Sequence, residues 1–498
     1  MRKKVVVIGS GFAGLSAASF MAKAGWQVEV LEKHATPGGR ARQLHANGFV
    51  FDMGPSWYWM PDVFERYFNR FGKKVSDYYK LTRLDPSYRI YWPDGPMDIP
   101  SDYKSVVSLF ESLEPGSGKR LDTFMEEAAY KYKVGINKLV FKPGQSYTEF
   151  LDKELIAGLF RLDVFQSMKA HVAKYFQHPK LRELMEFPVL FLGALPEKTP
   201  ALYSLMNYAD IKGGTWYPEG GMFSIVHAMY KLALELGVTF HCNENVEEIM
   251  VNDRTAKRIK CSNTSTGEIH FWDADVVIAG ADYHHVETQL LDKTYRSYSD
   301  EYWEKRVMAP SCLLYYVGLN KKLEGIQHHS LFFDTSFEVH GKEIYSSKQW
   351  PTDPLFYVSA TSVTDKEAAP EGCENLFILI PVATGLTHDT EALREHYFQM
   401  VIQRMEKHLQ QSISDSIIYK KSFAHSDFIS EYNSFKGNAY GLANTLLQTA
   451  VLKPACRSKK VNNLFYTGQL TVPGPGVPPS LISGEVVAGQ VIQHFGTC

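Results

Sequence analysis

The sequence predicts an α/β protein that opens on a parallel strand–helix–strand unit, and three adjoining features carry that prediction. Lys4-Val5-Val6-Val7-Ile8 is a short apolar, β-branched run, the composition of a central parallel strand buried on both faces. Gly9-Ser10-Gly11-Phe12-Ala13-Gly14 follows at once and opens a helical stretch, Leu15 to Ala24. A second strand, Gln27 to Leu31, ends in Glu32, eighteen positions after Gly14. In this spacing Gly9 allows the tight turn, Gly11 lets backbone approach a pyrophosphate, and Gly14 lets helix and strand pack closely. The helix N-terminus offers N–H groups to phosphate, and Glu32 can accept ribose hydroxyls. An acid at that point disfavours a 2′-phosphate.

The next residues extend the same pocket. Lys33 leads into "KHATPGGRARQ", where Gly38-Gly39-Arg40 makes a second glycine turn with a cation suited to phosphate or ribityl contacts. "GFVFDMGPS" then offers a short strand and a tight turn ending in Gly54-Pro55-Ser56. At this point the sequence resembles the flavoprotein superfamily of amine oxidases, protoporphyrinogen oxidases and carotenoid desaturases, in which the early glycine pair and arginine lie close to bound FAD. The resemblance implies a Rossmann-type FAD-binding domain, residues 1–79, 215–305 and 456–498. It also implies a discontinuous α+β substrate domain, residues 80–214 and 306–455, with a helical membrane-facing cap. FAD contacts are expected from Gly9, Gly11, Phe12, Ala13, Gly14, Glu32, Lys33, Gly39, Arg40, Gly54, Pro55 and Ser56. Later in the chain they are expected from Val246, Gly468, Gln469, Gly476, Val477 and Pro478.

Gly220-Gly221 precede a helical period, Met222 to Leu236, which Gly237 stops before a strand at Val238 to Cys242. Val246 to Ile249 would lie near the adenine in family members, and Ala274 to Asp282 is a buried-strand pattern ending in a turn. Residues 80–214 are richer in helical periodicity and aromatics, notably Tyr147 to Phe176, which suits either a helical core or a cap on a membrane surface. Between Pro310 and Gln448, strand-like runs such as "CLLYYVGL" and "NLFILIPVAT" suit the floor of a substrate chamber.

Composition bounds the alternatives. The chain has 498 residues, 45% hydrophobic and 22% charged, with a formal net charge of -2, which gives no reason to expect nucleic acid as partner. Six dispersed cysteines form no CxxC or Cys/His cluster, so neither a zinc site nor a disulfide framework is expected, and a reducing cytoplasm fits. Glycines interrupt the apolar run after the basic start, and no stretch reaches the ~20 apolar residues of a spanning helix. The expected place is the cytoplasm, peripherally on the cytoplasmic face of the membrane.

"EKHATPGGRA", "GFVFDMGPS", "WYPEGGM", "APEGCENLFILIPVA" and "NLFYTGQLTVPGPGVPPSLISGEVVA" together look like bacterial phytoene-desaturase-type carotenoid desaturases along almost the whole chain. The Ala369 to Ala383 phrase and the PGPGVPPS ending favour phytoene desaturation towards lycopene over hydroxycarotenoid 3,4-desaturation. An isomerase or saturase, an amine or porphyrinogen oxidase, and a prenyl-lipid carrier of the GDP-dissociation-inhibitor type are the alternatives. The implied chemistry removes two hydrogens from an unactivated C–C bond of an apolar carotenoid, hydride passing to FAD and a proton leaving the adjacent carbon, with quinone or oxygen as final acceptor. By the same resemblance Glu149 is the candidate catalytic carboxylate, although Asp152 stands where family members often carry arginine. His284-His285 after Asp282, and His328-His329, lack a third ligand at metal spacing and read as solvated or capping residues. Trp57, Tyr58 and Trp59 could line the chamber, although aromatic residues beside a glycine turn more often serve packing. Finally, Pro478 and Pro479 favour the first turn of a helix, Ser480 to Ile492, whose dipole would face the flavin and stabilise the negative charge gained on reduction.

Overall fold

The structure, a computed structural model, describes residues 2–150 and 162–498. Its first layer is a five-stranded parallel sheet in the spatial order Leu464–Tyr466, Val276–Ala279, Lys4–Ile8, Gln27–Glu32, Thr239–Cys242. Strand order reverses on either side of Lys4–Ile8: the chain moves one way to Gln27–Glu32, and later returns on the other side. Ligands of open α/β sheets bind at the carboxyl ends of the strands at such a reversal. Here the strand ends are knitted together, Gly9 N–H donating to Leu31 O, Gly280 N–H to Ile8 O and Thr467 N–H to Ala279 O.

Helix Phe12–Lys23 follows the glycine turn and receives the last helix, Val477–Phe495, against it. Gly484 makes the approach possible: a Cβ there would stand 2.5 Å from Ala13 O and 2.6 Å from Ser16 Cβ. Ser16 Oγ donates across to Leu481 O at 2.7 Å. A third helix, Phe223–Glu235, is tied in at its start by half-buried Asp52, whose carboxylate accepts from the N–H groups of Met222 and Phe223. Strands Glu244–Asn252, Thr255–Asn263 and Ile269–Asp273 form a separate antiparallel sheet.

The second large sheet has seven strands in the order Ile417–Phe423, Ser311–Leu319, Glu374–Val382, Phe356–Ser359, His329–Phe332, Tyr88–Trp92, Gly95–Ile99. Ser311–Leu319 is buried along its whole length, and its period of two divides it between two cores. Cys312, Leu314 and Tyr316 face the core shared with the first layer. Leu313, Tyr315, Val317 and Leu319 face helix Glu391–Leu409 through Tyr397, Phe398, Val401 and Met405. The hairpin Tyr88–Trp92/Gly95–Ile99 lies in a region that helical periodicity had dominated. Its signal was the "PDG" turn between alternating aromatic and β-branched residues.

Helices Tyr103–Leu113, Ser117–Val134, Met168–Tyr175 and Pro179–Glu186 cover the far side. Part of the Tyr147–Phe176 stretch, including Asp152, lies outside the described residues; within them Tyr147–Phe150 is one tight turn. Glu127, Asp163 and His171 cluster there at metal-like spacing, but fully buried Lys131 stands 2.9 Å from Asp163 and makes the group an ion-pair network. No helix among the described residues is long and apolar enough to cross a membrane.

Candidate functional site

A cavity of about 490 Å³ opens at the carboxyl ends of the parallel strands and runs on to the face of the seven-stranded sheet. Every residue expected to contact FAD lines it except Gly14. Gly14 acts behind the wall: a Cβ there would lie 2.0 Å from Gly9 O. Gly9 takes φ +89°, the left-handed conformation its turn requires. Before Gly11, by contrast, there is open space, with nothing within 4 Å of where a Cβ would stand.

Glu32 is buried and holds this turn. Oε2 accepts from Ser10 N–H at 2.9 Å and Ser10 Oγ at 2.6 Å, and Oε1 accepts from His34 N–H at 3.0 Å. A carboxylate has about four acceptor sites, so one remains for a hydroxyl from the cavity. Arg40 donates to Ser434 Oγ and, at 3.4 Å, to Asn438 O, while its buried Nε has no partner among the described residues. Burial lowers the Arg40 pKa, with Asp282 opposing; burial raises that of Asp282, with Arg40 opposing. With its amide oxygen turned inward, Gln469 lies 2.9 Å from Arg40 Nη2 and its amide nitrogen lies 3.1 Å from Tyr440 O.

Sequence reasoning missed Glu244. It lines the cavity beside Val246; Oε1 accepts from Asn263 Nδ2 and meets His270 Nδ1, while buried Oε2 has no partner among the described residues. No spacing in the sequence marks it, because its place follows from the register of the three-stranded antiparallel sheet and from how that sheet packs at the cavity.

Other expectations need correction. Glu149 does not line the cavity: its carboxylate accepts from the N–H groups of Gly144, Gln145 and Ser146 at 2.8–3.1 Å, closing a local turn. His328 and His329 are not solvated but buried, at 4% and 0% exposure, with Nδ1 atoms on Thr364 Oγ1 and the Tyr357 hydroxyl. Asp282 does cap the short helix it precedes, accepting from His285 N–H. Yet His284 stacks on Phe435 and His285 lines the cavity, and burial pushes both down to about 4. Trp57 and Trp59 line the cavity, whereas Tyr58 packs on Phe64.

Beyond Ser56 the walls become apolar, with Trp57, Phe187, Leu331, Phe333 and Phe377 on the lining. A phosphate-approachable glycine turn, a buried guanidinium with an unused donor and a buried acid with an unused acceptor site fit a flavin dinucleotide. Beside them the lining of the same cavity is apolar, suited to a hydrophobic molecule. That combination defines a flavin-dependent oxidoreductase working on a hydrophobic substrate.

The family model described as flavin containing amine oxidoreductase matches residues 12–492, and the chain belongs to this family. It is 41% identical to carotenoid 3,4-desaturase of Haloarcula japonica over 493 residues, covering 99% of this chain and 98% of that protein. It is 31% identical to the zeta-carotene-forming phytoene desaturase of Myxococcus xanthus, covering 98% and 94%. Among solved structures, an oxidoreductase from Methanosarcina mazei superposes with TM-score 0.63 at 17% identity over 98% of this chain and 100% of that one. Cyclohexylamine oxidase from Brevibacterium oxydans does so with 0.60 at 13% over 99% of each; these two show the fold alone. The chain is therefore an FAD-dependent carotenoid desaturase. Bound FAD supplies the two-electron chemistry. Arg40, the N–H groups after Gly11 and Glu32 line the cavity where they would hold and orient it, and the aromatic walls would exclude water.

Proposed function

We propose that the chain introduces the 3,4 double bond near the end of a linear carotenoid bearing a hydroxylated end group. The observation that supports this reading is the 41% identity, unbroken along both chains, to a carotenoid 3,4-desaturase. A second reading, phytoene desaturation, draws on the 31% identity to a phytoene desaturase and on the Ala369–Ala383 phrase. FAD-loaded protein with liposomes, given phytoene and a hydroxylated carotene separately, decides between them: a product lengthened by conjugation at the 3,4 position of the hydroxylated carotene is expected. Conversion of phytoene alone refutes the reading.

The two-domain division fits this function. All five strands of the parallel sheet fall within 1–79, 215–305 and 456–498, and all seven of the other sheet within the remaining ranges. Substrate of this kind dissolves in membranes, so the enzyme works at a membrane surface, with quinone or oxygen as acceptor. Exposed Phe165 and Leu447 are candidate lipid contacts.

A further inference from the structure

One corner of the apolar chamber is polar. On the chamber face of the seven-stranded sheet Leu331 pairs with Tyr357 and His329 with Ser359, which makes Tyr357 and His329 diagonal neighbours. His329 Nδ1 and the Tyr357 hydroxyl are 2.7 Å apart. Trp57 lies flat on the imidazole, centroids 4.2 Å apart and planes 9° from parallel. Tyr357 and Ser56 both line the cavity, and the Ser56 and Ser359 hydroxyls flank the phenol.

The proton on His329 can be placed. Burial holds its pKa well below the ordinary range, so the ring is neutral and carries one N–H. Nε2 is buried and has no partner among the described residues, so a proton there would strand a donor. A proton on Nδ1 instead donates to the Tyr357 oxygen. The phenol then keeps its own hydrogen for another acceptor. His340, a histidine on the cavity lining, has no such surplus: Leu355 N–H donates to its Nδ1 and its Nε2 donates to Pro381 O.

A bare hydrocarbon offers nothing to a buried hydroxyl, and sites built to bond a substrate hydroxyl discriminate strongly against the analogue lacking it. We propose that Tyr357, oriented by His329 and flanked by Ser56, anchors the hydroxyl of the substrate's end group and thereby sets specificity for hydroxylated over unsubstituted carotenoids. Ser56 belongs to the turn expected against FAD, so an oxygen held here would lie near the bond to be oxidised, as desaturation close to the chain end requires. The inference rests on the 3,4-desaturase reading.

The test uses the FAD-loaded enzyme and its Tyr357→Phe and His329→Phe variants, the latter keeping a ring for Trp57 to stack on. Flavin content and absorbance verify folding. The measured quantity is the ratio of kcat/KM for a hydroxylated carotene over the unsubstituted carotene of equal conjugation. Wild type should favour the hydroxylated substrate by about tenfold or more, and the ratio should collapse towards one in Tyr357→Phe and fall in His329→Phe. An unchanged ratio in Tyr357→Phe overturns the anchor, as does a wild type that desaturates both substrates equally; either result leaves the 3,4-desaturase reading standing. If neither carotene is desaturated, that reading fails, and tryptophan quenching by the two carotenes judges the anchor. Equal affinities then overturn it, and tighter binding of the hydroxylated carotene that is lost in Tyr357→Phe supports it.

Discussion

Gly11→Ala and Gly14→Ala add the same methyl group three residues apart and are expected to fail in opposite ways. Gly14 is inside helix Phe12–Lys23, where alanine gains ~1 kcal/mol in propensity over glycine. Its new Cβ, however, would stand 2.0 Å from Gly9 O, short of ordinary contact by about 1.4 Å. The obstacle is backbone at the end of the central strand, so turn and helix must part; overpacking of this kind costs ~1–3 kcal/mol and outweighs the propensity gain. Gly11 has φ -69° and ψ 176°, which any residue adopts, and its Cβ would meet nothing within 4 Å. That methyl group would stand instead in the open space proposed for the cofactor's phosphates. Losing one hydrogen bond to a charged group costs ~1.5–3 kcal/mol, roughly 10- to 150-fold in Kd. The assay is thermal unfolding of FAD-free protein together with FAD titration by fluorescence quenching. Gly14→Ala should lower the unfolding midpoint of the FAD-free form, and Gly11→Ala should leave it in place while weakening FAD binding. Wild-type FAD affinity in Gly11→Ala would refute the assignment of the open space to the phosphates.

Glu149→Gln, with its parent carboxylate engaged by three backbone N–H groups outside the cavity, should lower stability and leave kcat within about twofold; a tenfold loss in kcat of well-folded protein would restore a catalytic role. Buried Lys453, bonded to Asn444 Oδ1, has its pKa lowered by burial to about 7. Between that value and the unfolded value near ~10.4 the unfolded chain binds the extra proton, so stability rises with pH across that window, by up to ~1.4 kcal/mol per unit. Denaturant unfolding at pH 7 and pH 9 should show this rise in wild type and its loss in Lys453→Met. Gly484→Leu should separate the first and last helices and release FAD, visible as colourless protein on purification.

The parallel unit was legible because each of its steps is local. The run Lys4–Ile8, the glycines and Glu32 lie within thirty residues, and each has a chemical reason for its spacing. The discontinuous returns at Thr239–Cys242 and Val276–Ala279 were legible through the same buried-strand pattern. What the sequence hid is set by register between distant strands. Whether His329 faces water or Tyr357 depends on pairing with Phe356–Ser359, and "QHHSLF" reads as a loop when that partner is unknown. Glu244 was concealed because its placement depends on how the local three-stranded sheet packs at the cavity, while the Glu149 carboxylate is taken up by its own neighbours Gly144–Ser146, a contact that the resemblance did not reveal.

The loop from Gly468 to Gly476 shows how far local chemistry reaches. Ser483 Oγ accepts from Gly468 N–H and Thr467 Oγ1, both at 3.0 Å, and so fixes the loop to the final helix. Gly476, at φ +111°, then turns the chain into that helix, and Gly476, Val477 and Pro478 line the cavity. The helix begins at Val477, three residues before the expected start, which moves both prolines inside its first turn. Pro478 and Pro479 have no N–H, and Ser480 N–H is bonded to Gly476 O, so Val477 alone keeps a first-turn donor. This helix start would therefore act on a flavin chiefly through its dipole and much less through a ring of hydrogen bonds. Gly476→Leu is expected to strain the turn, since a Cβ there meets Pro479 Cδ at 3.2 Å, and to displace the helix start from the cofactor. The variant should bind FAD more weakly or show a more negative flavin potential. Wild-type values for both, measured by titration and by dye-coupled reduction, would remove the helix start from the cofactor's electrostatics.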